Sequence, residues 1–139
     1  MMTWLVYALV SAGAAALTAI MTKVGVEGVP ANLATATRTS VVLVAAWATV
    51  LVAGDHHAAA ALSRRSVAFL VLSGIATAVS WLAYFRALQL GPISRVAPID
   101  KLSLPLTIGL ASLVLGESVT WRLAMGAALM TVGAFLTVR

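Results

Sequence analysis

Asp100 and Lys101 stand side by side in "RVAPIDKLSLPL" (95–106), between Pro98 and Pro105 and with apolar residues on either side. A carboxylate and an ammonium in such company can pair with each other, hold a charged solute, or pass a proton. Arg38 and Arg86 lie in comparably apolar stretches, so Asp100 has three basic candidates: Arg38, Arg86 and Lys101. Pro105 has no N–H for the carbonyl of Lys101 four residues earlier, and its ring crowds that oxygen. A helix through this segment is therefore expected to kink and to leave a backbone acceptor free at the charged level. Other chemistry has less to work with. The chain has no cysteine. His56 and His57 are adjacent in a connector, a spacing poor for one metal ion. No serine, histidine and acid set falls on facing segments, so neither enzyme activity, metal nor cofactor is expected.

The surroundings of these groups fix their solvent. Of the 139 residues, 62% are apolar and 9% charged, against about half and about a quarter in a soluble domain. Such a chain cannot cover itself with polar surface, and a bilayer is its expected partner. The formal charge of +5 comes from nine basic residues against four acidic ones, the basic ones scattered between apolar runs, singly except for Arg64-Arg65. That pattern is how loop charges flank membrane spans, and it excludes a nucleic-acid patch. Residues 1–22 carry no side-chain charge and lack the basic start of a signal peptide, so they read as a retained first span.

Crossing a hydrocarbon core of about 30 Å takes roughly 20 helical residues. The charge-free windows are Met1–Thr22, Thr39–Gly54, Ser66–Phe85, Leu102–Gly116 and Leu123–Val138. They predict an all-α membrane domain of five helices, near 3–22, 32–53, 67–88, 95–115 and 120–138. Gly- and Pro-bearing connectors such as "KVGVEGVPAN" and "LGPISR" separate them. The second and fourth windows are too short unless they extend backwards, which draws Arg38, Asp100 and Lys101 inside. Because the chain alternates sides, Arg38, Arg86, Asp100 and Lys101 are expected near one face of the membrane. A charge deep in a bilayer costs at least about 2.5–3.5 kcal/mol, and a partner is the cheapest relief. Arg86, near a span end, can also snorkel to the headgroups. Asp100 is too short for that.

Residues four, seven and eleven apart share a helical face. Ser73, Thr77, Ser80 and Tyr84 follow that spacing in the third span, with Trp81 beside them; Thr3, Tyr7, Ser11, Thr18 and Thr22 do so in the first. The second span offers Thr35, Arg38, Thr39 and Thr49, and the fourth Asp100, Ser103 and Thr107. Any one stripe is explained by hydroxyls bonding to their own helix or a neighbour. Four stripes together predict a central polar crevice lined by Tyr7, Ser11, Ser80, Trp81, Tyr84, Ser103 and Thr107 with the charged groups. Trp4, Trp47 and Trp121 fit interfacial anchors, whereas Trp81 lies too near mid-span. On the fifth span Gly126, Met130, Gly133 and Thr137 share a face of small residues suited to close packing against a second subunit. Glu117 is expected at the positive end of that helix.

The loop cations barely favour an orientation. Arg64, Arg65 and Arg122 fall on the amino-terminal side, and Lys23, Arg86, Arg95 and Arg139 on the other. So even a division permits insertion both ways, and hence an antiparallel homodimer.

"RALQLGPISRVAPIDKLSLPLTIGLASLVLGESVTWRLAMGAALMTVGAFLTVR" resembles the drug/metabolite transporter superfamily, in particular its EamA-like half-length branch of bacterial and archaeal transporters. The resemblance is carried by Ala87-Leu88, Gly91-Pro92, "SRVAPIDKLS", Leu115-Gly116-Glu117, and the last helix with Gly126 and Gly133. It implies that residues 1–139 form one EamA-like domain, equal to one repeat of a ten-helix inverted-repeat transporter. It also implies alternating access about a central cavity, in a bacterial or archaeal cytoplasmic membrane. The second repeat would come from another copy or a second half-transporter. The superfamily's four-helix multidrug exporters use a glutamate in their first helix, and the first span here has no acid. The leading expectation is a transporter or exporter subunit for a small metabolite or drug-like compound. The alternative is a non-transporting membrane subunit packed against a partner protein.

Overall fold

The computed structural model describes residues 3–138. Arg139, counted above among the loop cations, and Met1, which opens the first window, lie outside them. The helices are α1 (Thr3–Gly25), α2 (Ala31–Ala53), α3 (Arg64–Leu90), α4 (Ile93–Asp100), α5 (Ser103–Leu115) and α6 (Trp121–Leu136), with a 3-10 helix at Asp55–Ala61. No strand occurs among the described residues. α1, α2, α3 and the combined segment Ile93–Leu115 are each long and apolar enough to cross a membrane. α6 is shorter at 16 residues, about 24 Å of helix. Over the described residues the chain is an all-α membrane bundle of about five helices, four long enough to cross and the last shorter, the fourth built from two pieces.

Local chemistry sets the ends. Pro30 and Pro92 precede α2 and α4 in extended backbone, and their carbonyls take the first helical bonds, from Ala34 at 3.0 Å and Val96 at 3.1 Å. Each proline costs nothing there, because a helix start has no use for that N–H. The Ser63 hydroxyl accepts from the Ser66 amide at 3.0 Å and starts α3. Thr120 does the same for α6, accepting from Leu123 N at 3.3 Å. Thr120, and not Glu117, is therefore the capping side chain of the last helix. Glu117 instead helps close α5, its amide donating back to the Ala111 carbonyl at 3.3 Å. Gly54 and Gly116 end α2 and α5 at φ 78° and 70°, left-handed backbone that a side chain would strain.

The chain divides into two compact units, residues 21–89 and residues 1–20 with 90–139. In the first, the core gathers where α1 ends, α2 begins and α3 ends: Thr22, Val26, Ala31, Thr35, Phe85 and Leu88 are all buried. Along the rest of α2 and α3 the apolar side chains, such as Leu43, Trp47, Phe69 and Leu72, stand exposed. In water that surface would be untenable; in a bilayer it faces acyl chains. In the second unit α6 packs on α4 and α5, and Ala134 is its buried contact.

Candidate functional site

Counting along the helices explains the first constellation. Arg38 is seven residues into α2, about 10 Å from its start. α3 runs the opposite way, and Phe85 and Trp81 lie five and nine residues before its end. Those levels bracket Arg38. Its guanidinium lies 4.2 Å from the centroid of the Trp81 ring and 5.7 Å from that of Phe85. Phe85 is 2% exposed, and Arg38 and Trp81 are half-buried. A stacked cation gains about 0.5–2 kcal/mol from the ring quadrupole. That offsets only part of the about 2.5–3.5 kcal/mol cost of charge at depth. Among the described residues no acceptor takes a hydrogen bond from Arg38, and no carboxylate pairs with it. The neighbouring hydroxyls do not supply one: Thr35 donates to the Ala31 carbonyl and Thr39 to the Thr35 carbonyl, each at 2.8 Å.

The other cations of this unit have different tasks. Lys23, in the last turn of α1, donates from Nζ to the Leu88 carbonyl at 2.6 Å. That carbonyl is among the last of α3, where a helix presents unsatisfied acceptors and negative potential. Gln89 donates from Nε2 to the Val29 carbonyl at 2.6 Å, fastening α3 to the α1–α2 link. Arg86 donates from Nη1 to Gln89 Oε1 at 3.1 Å. Lys23 and Gln89 thus hold the end of α3 that sets the Trp81 and Phe85 faces. Neither stood out in the sequence as a binding residue. A lone amide at the end of an apolar span was the available signal.

In the second unit Asp100 closes α4, and its Oδ2 pairs with Lys101 Nζ at 3.2 Å. Of its three basic candidates, Lys101 is the one in the same unit, while Arg38 and Arg86 belong to the other. The fourth span breaks here, at Lys101–Leu102, and the break satisfies its own backbone. The Lys101 carbonyl, expected to be free beside Pro105, accepts from the Leu104 amide at 3.0 Å. The turn tightens to three-residue spacing, Leu102 N donating to the Ile99 carbonyl at 3.0 Å, so the neighbouring N–H replaces the one proline lacks. Pro105 is the third residue of α5, a position that needs no intrahelical N–H. Pro98 lies inside α4 and removes a second donor, toward Ser94. Two prolines seven residues apart make this span a jointed one.

The stripes have a local account as well. Thr77 donates to the Ser73 carbonyl at 2.9 Å and Thr107 to the Ser103 carbonyl at 2.8 Å. Their hydroxyl protons are used within the helix, while the oxygen lone pairs remain on the face. Tyr7, Ser11, Ser80, Ser103 and Thr107 are exposed and Tyr84 half-buried. On α6, Thr131 and Ala134 turn inward, while Met130 and Gly133 are exposed. A methyl placed at Gly126 or Gly133 would meet nothing within 4 Å. His56 and His57 stack on each other at 3.9 Å in the 3-10 helix, beside a shallow apolar groove of about 280 Å³ lined by Trp47, Val50 and Leu62.

Discontinuous spans of this kind recur in transporters, where they lie at the substrate level. The EamA-like transporter family matches residues 2–139, nearly the whole chain. The chain belongs to the EamA-like transporter family. It is 44% identical over 134 residues to a Sinorhizobium sp protein named "Uncharacterized transporter in cobO 3'region", a match covering 96% of this chain and 95% of that one. No solved structure matches. This EamA-like protein is therefore a multi-pass membrane transporter in contact with the lipid bilayer, and its charged and jointed residues are to be read in that light.

Proposed function

We propose that the chain is half of an alternating-access transporter for a small metabolite or drug-like compound in a bacterial or archaeal cytoplasmic membrane. Two copies, inserted in opposite directions, close a central polar cavity, and a second half-transporter of the same kind could replace one copy. The observation that carries this reading is the break at Lys101–Leu102 with the Asp100–Lys101 pair beside it. Discontinuous spans are tolerated in lipid where they line a cavity or are covered by protein, and transporters use them at the substrate level. A jointed α4–α5 supplies a place where one half-span can tilt while the other stays packed on α6. The exposed hydroxyls of Tyr7, Ser11 and Ser80 support a second copy, which would shelter them from acyl chains. The exposed Met130 and Gly133 of α6, with half-buried Gly126 on the same face, support close approach by another helix.

Reconstituted liposomes test the reading. A concentration jump of small carboxylates, phosphates or organic cations should give a solute-dependent current from the wild type and a reduced one from Asp100→Asn. A correctly folded protein that passes none of them, yet co-purifies with another membrane protein, would favour the packing-subunit role. Tags on both termini, probed in intact cells, should each be found on both sides; a single orientation removes the antiparallel arrangement.

A further inference from the structure

Among the described residues Arg38 differs from Lys23, Arg86 and Lys101 in having an aromatic support and no acceptor; Arg65, over Phe69 at 5.9 Å, stands in the first turn of α3, at a span end. Lys101 has Asp100, Arg86 has Gln89, and Lys23 has the Leu88 carbonyl. Arg38 has two aromatic faces. We propose that Arg38, braced on Trp81 and Phe85, recognises an anionic group, a carboxylate or a phosphate, on the transported compound.

Three features carry this. Arg38 Cζ lies over the Trp81 ring, so the guanidinium is supported from that side and its N–H donors can meet an acceptor from another. Those donors form a planar fork that matches the two oxygens of a carboxylate or phosphate. The stack also fixes the side chain, so less freedom is lost when an anion arrives. Secondly, among the described residues the unit that holds Arg38 brings no competing anion to this level. The acids in the same unit are Glu27 and Asp55. Glu27 is exposed in the α1–α2 link, and Asp55 lies beyond the far end of α2, about 25 Å along it from Arg38. Thirdly, the hydroxyl protons of Thr35 and Thr39 are committed to helix carbonyls, so the charge of Arg38 dominates the local chemistry. With indole and phenyl rings excluding water on one side, an arriving anion is attracted more strongly than in bulk solvent.

The word "transported" rests on the function proposed above; anion binding at Arg38 does not. A lipid headgroup phosphate offers the same chemistry as a soluble phosphate, and the test separates the two. The full chain carrying Trp4→Phe, Trp47→Phe and Trp121→Phe keeps Trp81 as its only indole. In dodecyl maltoside micelles, which carry no phosphate, its emission should change saturably with inorganic phosphate or succinate and stay unchanged with tetramethylammonium. Arg38→Gln should abolish the response. Arg38→Lys, which keeps the charge and serves if the first variant fails to fold, should weaken binding about 10-fold or more by losing the fork. No response to either anion, or an undiminished one in Arg38→Gln, overturns the proposal. A change that appears only when phosphatidylglycerol is added assigns Arg38 to a headgroup and overturns the substrate claim. Saturable anion binding without any flux in liposomes would leave the site standing and remove the transport reading. Flux of a neutral or cationic solute that survives Arg38→Gln would leave the transport reading standing and overturn the claim that Arg38 recognises the transported compound.

Discussion

The Arg38 guanidinium lies 4.2 Å from the centre of the Trp81 ring, and Phe85, one turn along α3, faces it from 5.7 Å. This is the contact that ties α2 to α3 at the charged level. Its energy is measurable by a double-mutant cycle on Arg38→Gln and Trp81→Leu, followed by unfolding in mild detergent. The coupling should be about 0.5–2 kcal/mol. A coupling of zero would mean that the two side chains share a region without holding each other.

Lys23 and Gln89 secure the end of α3. Lys23→Met removes the donor to the Leu88 carbonyl, a charge-assisted bond of about 1.5–3 kcal/mol, and Leu88 is fully buried at 0% exposure. The variant should lose stability by about that amount and Trp81 emission should shift, because the helix end that positions the ring is loosened. Gln89→Leu should cost less, about 1 kcal/mol for a neutral hydrogen bond. Unchanged melting in both would contradict the fastening role.

Pro105→Ala returns an N–H to the position facing the Lys101 carbonyl. The three-residue turn closed by Leu104 should then relax into continuous helix joining α4 to α5. Hydrogen exchange of the Leu104 and Leu106 amides in nanodiscs should slow, and solute flux should fall as the joint stiffens. Exchange that stays as fast as in the wild type would show that Pro98 or the Lys101–Leu102 turn alone sets the break.

Much of this was legible in the chain and some was not, for physical reasons. The five spans follow from charge-free windows, since a charge in hydrocarbon costs more than any helix propensity returns. The joint in the fourth span follows from Pro105, yet its position at Lys101–Leu102 depends on which amide rescues the Lys101 carbonyl, and only three-dimensional backbone settles that Leu104 does. Arg38 was expected as one of three basic candidates for Asp100, because opposite charges dominate a reading made by residue type. Its seat on Trp81 depends on the levels of α2 and α3, and so on where each helix begins. Those starts, at Pro30 and Ser63, are fixed by capping, which periodicity does not reveal. Glu117 was expected at the start of the last helix, but the Thr120 hydroxyl lies at the right spacing from Leu123 N. The bonds from Lys23 and Gln89 to carbonyls more than fifty residues away left no pattern in the sequence.

The central claim is that the polar faces of the spans meet water in a shared conduit while the apolar faces meet lipid. The chain has no cysteine, so a single introduced thiol reports on one position. Ser11→Cys, Ser80→Cys and Thr107→Cys should react with a membrane-impermeant aqueous maleimide in sealed vesicles, whereas Ile75→Cys and Leu113→Cys, on the other sides of α3 and α5, should not. Equal inertness of all five thiols, in protein shown to be folded, would contradict the conduit.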